Sequence, residues 1–216
     1  MIRKLTLFVG AVAVAGTSLF VATDADAYVL LTPNRKWYQT PVLLEFNSLA
    51  PETSITDGEY GRTAIADAIF DNVNGWNGAG AGQLIDATIV PRNAVMGDGR
   101  PTIQFNDPHN YCTGACLAVT MTGYWHNRNG LEEIDDADIY FDTGTRFTSE
   151  NEDPNPNQCS WNEYYIEGIV QHEVGHLLGL DHSNNGQATM YYAVGMCDNT
   201  MDEIANDDQN GINALY

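Results

Sequence analysis

One stretch near the C-terminal end constrains this chain most, because it fits H-E-x-x-H-x-x-G-x-x-H at every fixed position. His172 and His176 are four residues apart, so on a helix they lie on one face, one turn apart. Gly179 can take the left-handed conformation that ends a helix, which lets the chain turn back and bring His182 to the same point. Three histidines with one open position are typical of a catalytic zinc site. Glu173, beside the first histidine, can reach a water at that site.

A methionine, Met190, follows at the offset that a Met-turn requires. The motif H-E-x-x-H alone also occurs by chance on ordinary surface helices. Three unrelated histidines on an amphipathic helix would leave Gly179, His182 and Met190 as coincidences. The sequence therefore predicts one catalytic zinc ion bound by His172, His176 and His182, with Glu173 as general base.

The N-terminal residues have the three parts of a secretory signal. Arg3 and Lys4 precede an apolar run at 5–21, and a small-x-small site ends at Ala27. A transmembrane anchor is the alternative, but the run is short and interrupted by glycine, serine and threonine. We therefore predict a signal peptide at 1–27, removed after Ala27, and a protein secreted to the extracellular or periplasmic space.

The remainder, residues 28–216, is long enough for one well-buried domain. The net charge of the chain is −20, and Lys36 is the only lysine of this domain. A surface this acidic repels nucleic acid and anionic membranes, so we expect neither as a partner. The acidity could favour cationic substrates or calcium, or could serve solubility in salty surroundings. We expect a monomer that does not contact the membrane after signal cleavage.

Four cysteines in an exported chain predict disulfides. Cys112 and Cys116 are close enough in sequence to close a small loop. Cys159 lies just before the predicted zinc helix and Cys197 just after Met190, so a Cys159–Cys197 bridge would tie the ends of this segment together. Four cysteines allow three pairings, and this one is our prediction. A cysteine zinc site is the alternative, which export disfavours.

Hydrophobic patterning predicts an α+β domain, in which strands and one helix precede the zinc helix and leave a cleft between a sheet and a lower helical part. Residues 75–82 form a glycine-rich connection, and no G-K-[ST] follows to make a phosphate loop. The predicted strands are 37–47, 84–90, 102–105, 117–122 and 138–141; the predicted helices are 59–76, 164–178 and 207–215, with a polar loop at 150–158.

Residues 172–183 resemble the zinc motif of the matrixins, the matrix metalloproteinase-like metzincins, which have serine where this chain has Ser183. Similar stretches are the Met-turn at 188–191, the terminal helix at 206–216 and two strands at 117–120 and 137–142. The resemblance implies a zincin-like fold with a twisted, mostly parallel sheet, an active-site helix and a C-terminal helix. It also implies a zinc endopeptidase whose protein or peptide substrate lies along an edge strand at Leu117 and Ala118, with Met190 beneath the zinc.

The chain departs from the matrixin pattern in informative places. Val119 and Tyr140 stand where matrixins have histidines for a second, structural zinc, so we expect only the catalytic zinc. Asp142 is the one clear candidate that remains for a calcium ligand, so calcium is a possible cofactor without an assigned site. Tyr191 and Tyr192 replace the usual residues after the methionine, so the S1′ preference does not carry over.

The resemblance also implies an ion pair at the N-terminus. In trimmed matrixins a new terminal ammonium pairs with an aspartate of the terminal helix, matched here by Tyr28 and Asp207. Two other functions stay open at this point. One is a catalytically inactive exported zinc-binding module, which retention of Glu173 argues against. The other is a metzincin of another subfamily acting as an amidase, which Ser183 and the terminal helix argue against.

Overall fold

The structure is a computed structural model of the chain. It describes residues 4–5, 28–49, 66, 75–126, 132–149 and 159–216. The predicted signal peptide, the predicted helix at 59–76 and the predicted loop at 150–158 therefore lie almost wholly outside the described residues. Within the described part, no helix has the length and apolar character that a membrane crossing requires.

The described residues form short strands, two α-helices and one 3₁₀ turn. The strands are β1 (Lys4–Leu5), β2 (Val29–Leu30), β3 (Arg35–Trp37), β4 (Val42–Asn47), β5 (Ile85–Val90), β6 (Thr102–Gln104), β7 (Ala118–His126), β8 (Glu132–Phe141), β9 (Phe147–Thr148), β10 (Tyr164–Tyr165) and β11 (Leu180–Asp181). The helices are α1 (Ile166–Leu178) and α2 (Asn206–Leu215), and the turn is Trp76–Gly78.

The main sheet has the strand order β1-β7-β8-β6-β4-β5, with β3 also paired to β8. The pairs β3–β8, β6–β8, β4–β6 and β4–β5 are parallel, whereas β7 runs antiparallel to β8. Strand β8 is long enough to carry β3 along its first half and β6 along its second half. The predicted α+β class with a mostly parallel sheet is thus confirmed.

The predicted strand at 37–47 is wrong in detail, because two strands with different partners occupy this stretch. Strand β3 ends at Trp37 beside β8, and β4 begins at Val42 between β5 and β6. Between them Tyr38 is 77% exposed, and Pro41 has no N–H to give to a ladder. Apolar patterning alone could not show that this stretch contains two strands, because the two are distinguished by their partners, which patterning does not reveal.

The strands predicted at 117–122 and 138–141 are longer than expected. Strand β7 continues to His126, and β8 begins at Glu132. The start of β8 reads Glu-Glu-Ile-Asp-Asp, and acidic residues are depleted in strands, so propensity argued against it. The zinc helix begins at Ile166 rather than at 164, because Tyr164 and Tyr165 pair with β9 as strand β10.

Helix α1 lies at the centre of the molecule, and all 13 of its residues are buried. A helix that is covered on every side must contact several elements at once. One side packs on the sheet, and this contact forms the main core. The core includes Leu44, Phe46, Ile103, Phe105, Ile139 and Phe141 from the sheet region and Ile169, Val170, Val174 and Leu177 from α1.

The opposite face of β7 and β8 carries a second apolar cluster. Val119 and Tyr140 are directly paired across the two strands and are fully buried. Around them pack Met121, Ala94 and the cysteines of one disulfide. These are the two positions at which the matrixin resemblance placed histidines for a structural zinc. In this chain the same place holds packed apolar side chains.

Both predicted disulfides are present. Cys112 is bonded to Cys116, which lies two residues before the start of β7. Cys159 is bonded to Cys197 across 38 residues, with a Cα–Cα distance of 5.7 Å. The second bridge therefore joins the entry to α1 and the loop that follows Met190.

We expect loss of the Cys159–Cys197 bridge to destabilise the protein more than loss of the Cys112–Cys116 bridge. A disulfide that closes a longer loop removes more conformational entropy from the unfolded chain. The measurement is the melting temperature of the two paired cysteine-to-serine variants, purified under the same conditions. Equal melting temperatures, or a larger loss for the short bridge, would contradict the prediction.

Candidate metal centre

Three elements bring the predicted ligands together. Helix α1 carries His172 and His176 one turn apart, and it ends at Gly179 in the left-handed conformation with φ 110°. The chain then forms β11, which pairs antiparallel with β2 and leads directly into His182. The ring centroids lie 4.7 Å apart for His172 and His176, 4.8 Å for His176 and His182, and 5.2 Å for His172 and His182.

Backbone carbonyls fix which ring nitrogen faces inward. Nδ1 of His172 lies 2.8 Å from the carbonyl oxygen of Thr189, and Nδ1 of His176 lies 2.8 Å from that of Leu180. A carbonyl only accepts, so each Nδ1 carries the hydrogen and each Nε2 keeps a lone pair. The two Nε2 atoms are 3.1 Å apart and have no proton to share.

This arrangement fits a metal ion. Two lone pairs facing each other repel, and Nε2 of His182 is buried without a hydrogen-bond partner among the described residues. Two histidines at about 2.0–2.1 Å from a tetrahedral zinc would hold their nitrogens about 3.3 Å apart, close to the observed 3.1 Å. Among the described residues, the three histidines form the one group with ligand atoms near enough to share an ion, within 4.8 Å of one another.

Burial keeps the histidines neutral, as metal ligands must be. It lowers the pKa of His172 to about 3. It also lowers the pKa of His176 well below its ordinary value, and neighbouring His172 and His182 add to this effect. The pKa of His182 is lowered by burial too, although the nearby Asp181 opposes that change.

Glu173 is fully buried, and its two carboxylate oxygens differ. Oε2 accepts a hydrogen bond of 2.6 Å from the Thr120 hydroxyl on β7, whereas Oε1 has no hydrogen-bond partner among the described residues. Burial raises the pKa of Glu173 to about 8, and hydrogen bonds from Thr120 oppose the rise. One oxygen is therefore held by the protein, and the other is available for proton transfer.

Met190 packs directly beneath the metal-binding helix. A Cβ atom at position 175 would overlap the sulfur of Met190 and lie 2.8 Å from Cζ2 of Trp76, so only glycine fits there. Trp76 is fully buried and donates its indole N–H to the carbonyl oxygen of Gln171. The predicted apolar contact of Met190 under the site is thus present, and Trp76 extends it.

Helix α2 fixes the loop that follows the third histidine. Asp208 is 1% exposed and accepts hydrogen bonds from the backbone N–H groups of Thr189, Met190 and Ala205. The neighbouring Asp207 accepts a 2.7 Å hydrogen bond from the Ser183 hydroxyl. The carbonyl oxygen of Thr189 also accepts the His172 hydrogen bond. Asp208 is therefore connected to the metal ligand His172 through the backbone of Thr189.

Tyr28 lies against the same helix. A Cβ atom at Gly211 would come 3.1 Å from Cβ of Tyr28, so the tyrosine packs on the helix at that glycine. Asp207 precedes Gly211 by four residues and therefore lies on the same helix face. Tyr28 and Asp207, the two residues of the predicted N-terminal ion pair, thus lie at the same face of α2.

Among the described residues, the edge of β7 that faces away from β8 is paired only at Gly123 and Tyr124, with β1, and the part nearer to Glu173 is open. The Leu117 carbonyl accepts a hydrogen bond from the Asp142 N–H, so position 117 points its backbone groups toward β8. Backbone groups alternate in direction along an antiparallel pair. Those of Ala118 and Thr120 therefore point away from β8, where an added strand could pair with them.

Three further residues were singled out by comparison with the matrixin pattern: Asp142, Tyr191 and Tyr192. Asp142 accepts hydrogen bonds from the Gly144 N–H and the Thr145 hydroxyl, which closes a local turn. Its role as a calcium ligand stays a prediction. Tyr191 and Tyr192 lie side by side, with ring centroids 4.4 Å apart, and Tyr192 is 45% exposed.

Sequence reasoning missed Thr120, Gly175 and Asp208 as contributors to this site. Gly175 lies inside the motif at a variable position, and the contact that requires it comes from Met190 and Trp76. Thr120 could have been noticed as a polar residue that alternates with the apolar Val119 and Met121 in a buried strand. Such a residue needs a hydrogen-bond partner, although the sequence does not say which.

A histidine triad on a buried helix and the following turn, beneath a mostly parallel sheet, is the arrangement expected of a zinc metalloprotease. Residues 125–216, which include the triad, Met190 and α2, match the family model for matrixin. This part of the chain is therefore similar to the matrixin metalloproteases.

Individual metalloproteases are also similar to the chain. The chain is similar to interstitial collagenase of Oryctolagus cuniculus, with 26% identity over 197 residues, which cover 89% of this chain and 35% of that protein. A putative matrix metalloproteinase of Spodoptera frugiperda ascovirus 1a is 49% identical over 49 residues, 22% of this chain and 13% of the viral protein. Metalloendoproteinase 5-MMP of Arabidopsis thaliana is 45% identical over 51 residues, 24% of this chain and 14% of the plant protein. The chain thus spans about a third or less of the length of these relatives.

Proposed function

We propose that this protein is a zinc-dependent endopeptidase. The observation that carries the proposal is the convergence of two imidazole Nε2 atoms at 3.1 Å on a helix that also carries a buried glutamate, one oxygen of which has no hydrogen-bond partner in the part of the chain that the structure describes. Histidine ligands with one open position are the donor set of catalytic rather than structural zinc. When bound, zinc polarises a substrate carbonyl and acidifies water at the open position.

The residues of the chain supply the remaining steps. His172, His176 and His182 hold the ion, and the carbonyls of Thr189 and Leu180 keep two of these rings in the ligating orientation. Glu173 takes the proton of the attacking water on Oε1 and delivers it to the leaving amine. The outward N–H and C=O groups of Ala118 align an extended peptide beside β7 by strand addition.

Hydrolysis of an unfolded protein such as casein tests the proposal. We expect cleavage into peptides, loss of cleavage with a zinc chelator and recovery after zinc is restored. Metal analysis should give one zinc ion per chain, since Val119 and Tyr140 pack as apolar residues where a second set of ligands would be required. An inactive zinc-binding module would hold zinc without cleaving casein or peptides, and an amidase would spare internal peptide bonds; either result would contradict the proposal.

We also propose that the protein is exported and that signal cleavage after Ala27 frees the α-ammonium of Tyr28 to pair with Asp207. Both partners lie at the same face of α2, where Tyr28 packs on Gly211. Asp207 is 8% exposed, and an ammonium beside a buried carboxylate forms a charge-assisted hydrogen bond. The pair would anchor β2, which in turn pairs with the strand that leads into His182.

We expect a protein that begins at Tyr28 to be more stable than one that begins one residue earlier. The free energy of unfolding should be higher by about 1 kcal/mol, and the melting temperature should be higher as well. The extra residue moves the ammonium away from Asp207 and leaves β2 intact. Asp207→Asn in the shorter protein should lose the same stability, and the two changes together should lose no more than either alone. Identical melting temperatures and kcat/KM for all four proteins would exclude the pair.

A further inference from the structure

Thr120 is the described residue that holds the carboxylate of Glu173. Its hydroxyl oxygen lies 2.6 Å from Glu173 Oε2 and 2.9 Å from the Glu173 carbonyl oxygen. That carbonyl lies inside α1, where it already accepts the N–H of Leu177 four residues later. The hydroxyl has a single hydrogen, and 2.6 Å is typical of a hydroxyl donating to a carboxylate. The Thr120 hydrogen therefore goes to Oε2.

The position of Thr120 on β7 explains why this bond is rigid. Side chains alternate along a strand, and Val119 and Met121 face the second apolar cluster, so Thr120 faces α1. Thr120 is 1% exposed and Glu173 is fully buried, so water does not compete for the bond. The strand belongs to the main sheet, so the hydroxyl is fixed by the ladder with β8 rather than by a loop.

We propose that Thr120 is a positioning residue for the peptidase reaction. It binds one carboxylate oxygen of Glu173 and leaves the other directed to the attacking water. This inference rests on the proposed function. Ala118, whose backbone groups point to the substrate edge, lies two positions before Thr120 on the same strand. Strand β7 would therefore align both the peptide and the general base, through two positions on the same face of one strand.

The test compares Thr120→Val, which removes the hydroxyl at constant shape, with Thr120→Ser, which retains it. We expect Thr120→Val to lower kcat by about ten- to a hundredfold, the factor expected when a hydrogen bond to a charged group is lost. The KM and the zinc content should stay near those of the wild type, and the melting temperature should fall only modestly, because Oε2 is left buried without its donor. Thr120→Ser should restore most of kcat, which a purely structural role of the buried side chain would not predict.

Thr122→Val is the matched control. Thr122 lies two positions further on the same face of β7, is 1% exposed, and its hydroxyl has no hydrogen-bond partner among the described residues. The same substitution there should leave kcat unchanged. Equal losses in Thr120→Val and Thr122→Val would overturn the proposal, as would wild-type kcat in Thr120→Val.

Crystal structures of the zinc-loaded wild type and both valine variants give a readout that does not depend on activity. We expect the Glu173 carboxylate to move or to occupy several positions in Thr120→Val and to stay in place in Thr122→Val. An unmoved carboxylate in Thr120→Val would overturn the positioning role. If the wild type cleaves no peptide, the proposed function fails, and these structures still decide whether Thr120 positions Glu173.

Discussion

Replacing Glu173 by alanine is expected to lower kcat/KM for peptide hydrolysis by about 10²–10⁴-fold, the usual contribution of a general base. The change removes a carboxylate whose Oε1 is buried and has no hydrogen-bond partner among the described residues, and it leaves the three histidines untouched. Zinc content should therefore stay at one per chain. Peptide hydrolysis and metal analysis on the same preparation measure both effects.

Three further variants separate the role of Glu173 from general damage. Glu173→Gln keeps the shape and the acceptor for Thr120, so it should be as inactive as Glu173→Ala while melting closer to the wild type. His176→Ala should lose the zinc as well as the activity. Glu203→Ala, which removes an exposed carboxylate, should change neither. Wild-type hydrolysis by purified Glu173→Ala would refute the proposed mechanism.

The candidate site was predictable from sequence where its geometry is local. His172, Glu173 and His176 share one helix, and Gly179 and the turn after it bring His182 back within a few residues. Spacing alone therefore encodes the ligand set. Thr120 contacts Glu173 from a strand more than fifty positions earlier. Spacing carries no such information, because the register of β7 against α1 depends on the packing of the whole sheet.

The fold shows the same contrast between features that local sequence encodes and features that depend on distant elements. Strands β4 and β5 were predictable because apolar and β-branched residues dominate both of them, even though Leu43 and Ile89 are exposed. The first half of β8 was not, since Glu132 and Asp136 are buried by interactions that composition cannot reveal. One of these is the ion pair between Glu132 and Arg35 at 2.5 Å, with the Arg35 guanidinium lying 3.7 Å above the Tyr124 ring. Partners from distant elements make an unfavourable strand sequence stable.

The second large effect is expected for Gly179→Ala, which should unfold the protein more easily and weaken zinc binding. Gly179 has φ 110°, a conformation that costs a residue with a Cβ about 1–2 kcal/mol. A Cβ there would also overlap the carbonyl oxygen of Arg35 and lie 2.9 Å from Cδ2 of Leu215. Overpacking of this kind typically costs a further amount of about 1–3 kcal/mol. We expect a total loss of about 2–5 kcal/mol in the free energy of unfolding.

Denaturant unfolding and zinc titration of Gly179→Ala measure this effect. Gly186→Ala is the matched control, since a Cβ at Gly186 meets no described atom within 4 Å and its φ is not positive. That variant should lie within about 0.5 kcal/mol of the wild type. Gly179→Asn separates the two causes, because asparagine tolerates the left-handed conformation but still carries a Cβ. Stability restored by asparagine would show that backbone conformation, rather than the Arg35 contact, makes glycine necessary.

The reason for so large an effect is that the end of α1 is joined to three other segments at once. The Leu177 carbonyl accepts the Trp37 indole N–H, the Leu178 carbonyl accepts the Tyr216 hydroxyl, and the Gly179 carbonyl accepts the Leu31 N–H. Each bond satisfies a carbonyl that the helix itself leaves unpaired. A shift at Gly179 would strain all of them and would move β11, which leads into His182. We therefore expect stability and zinc affinity to fall together in Gly179→Ala, and wild-type zinc affinity in a destabilised variant would show that the third ligand is held independently of the helix end.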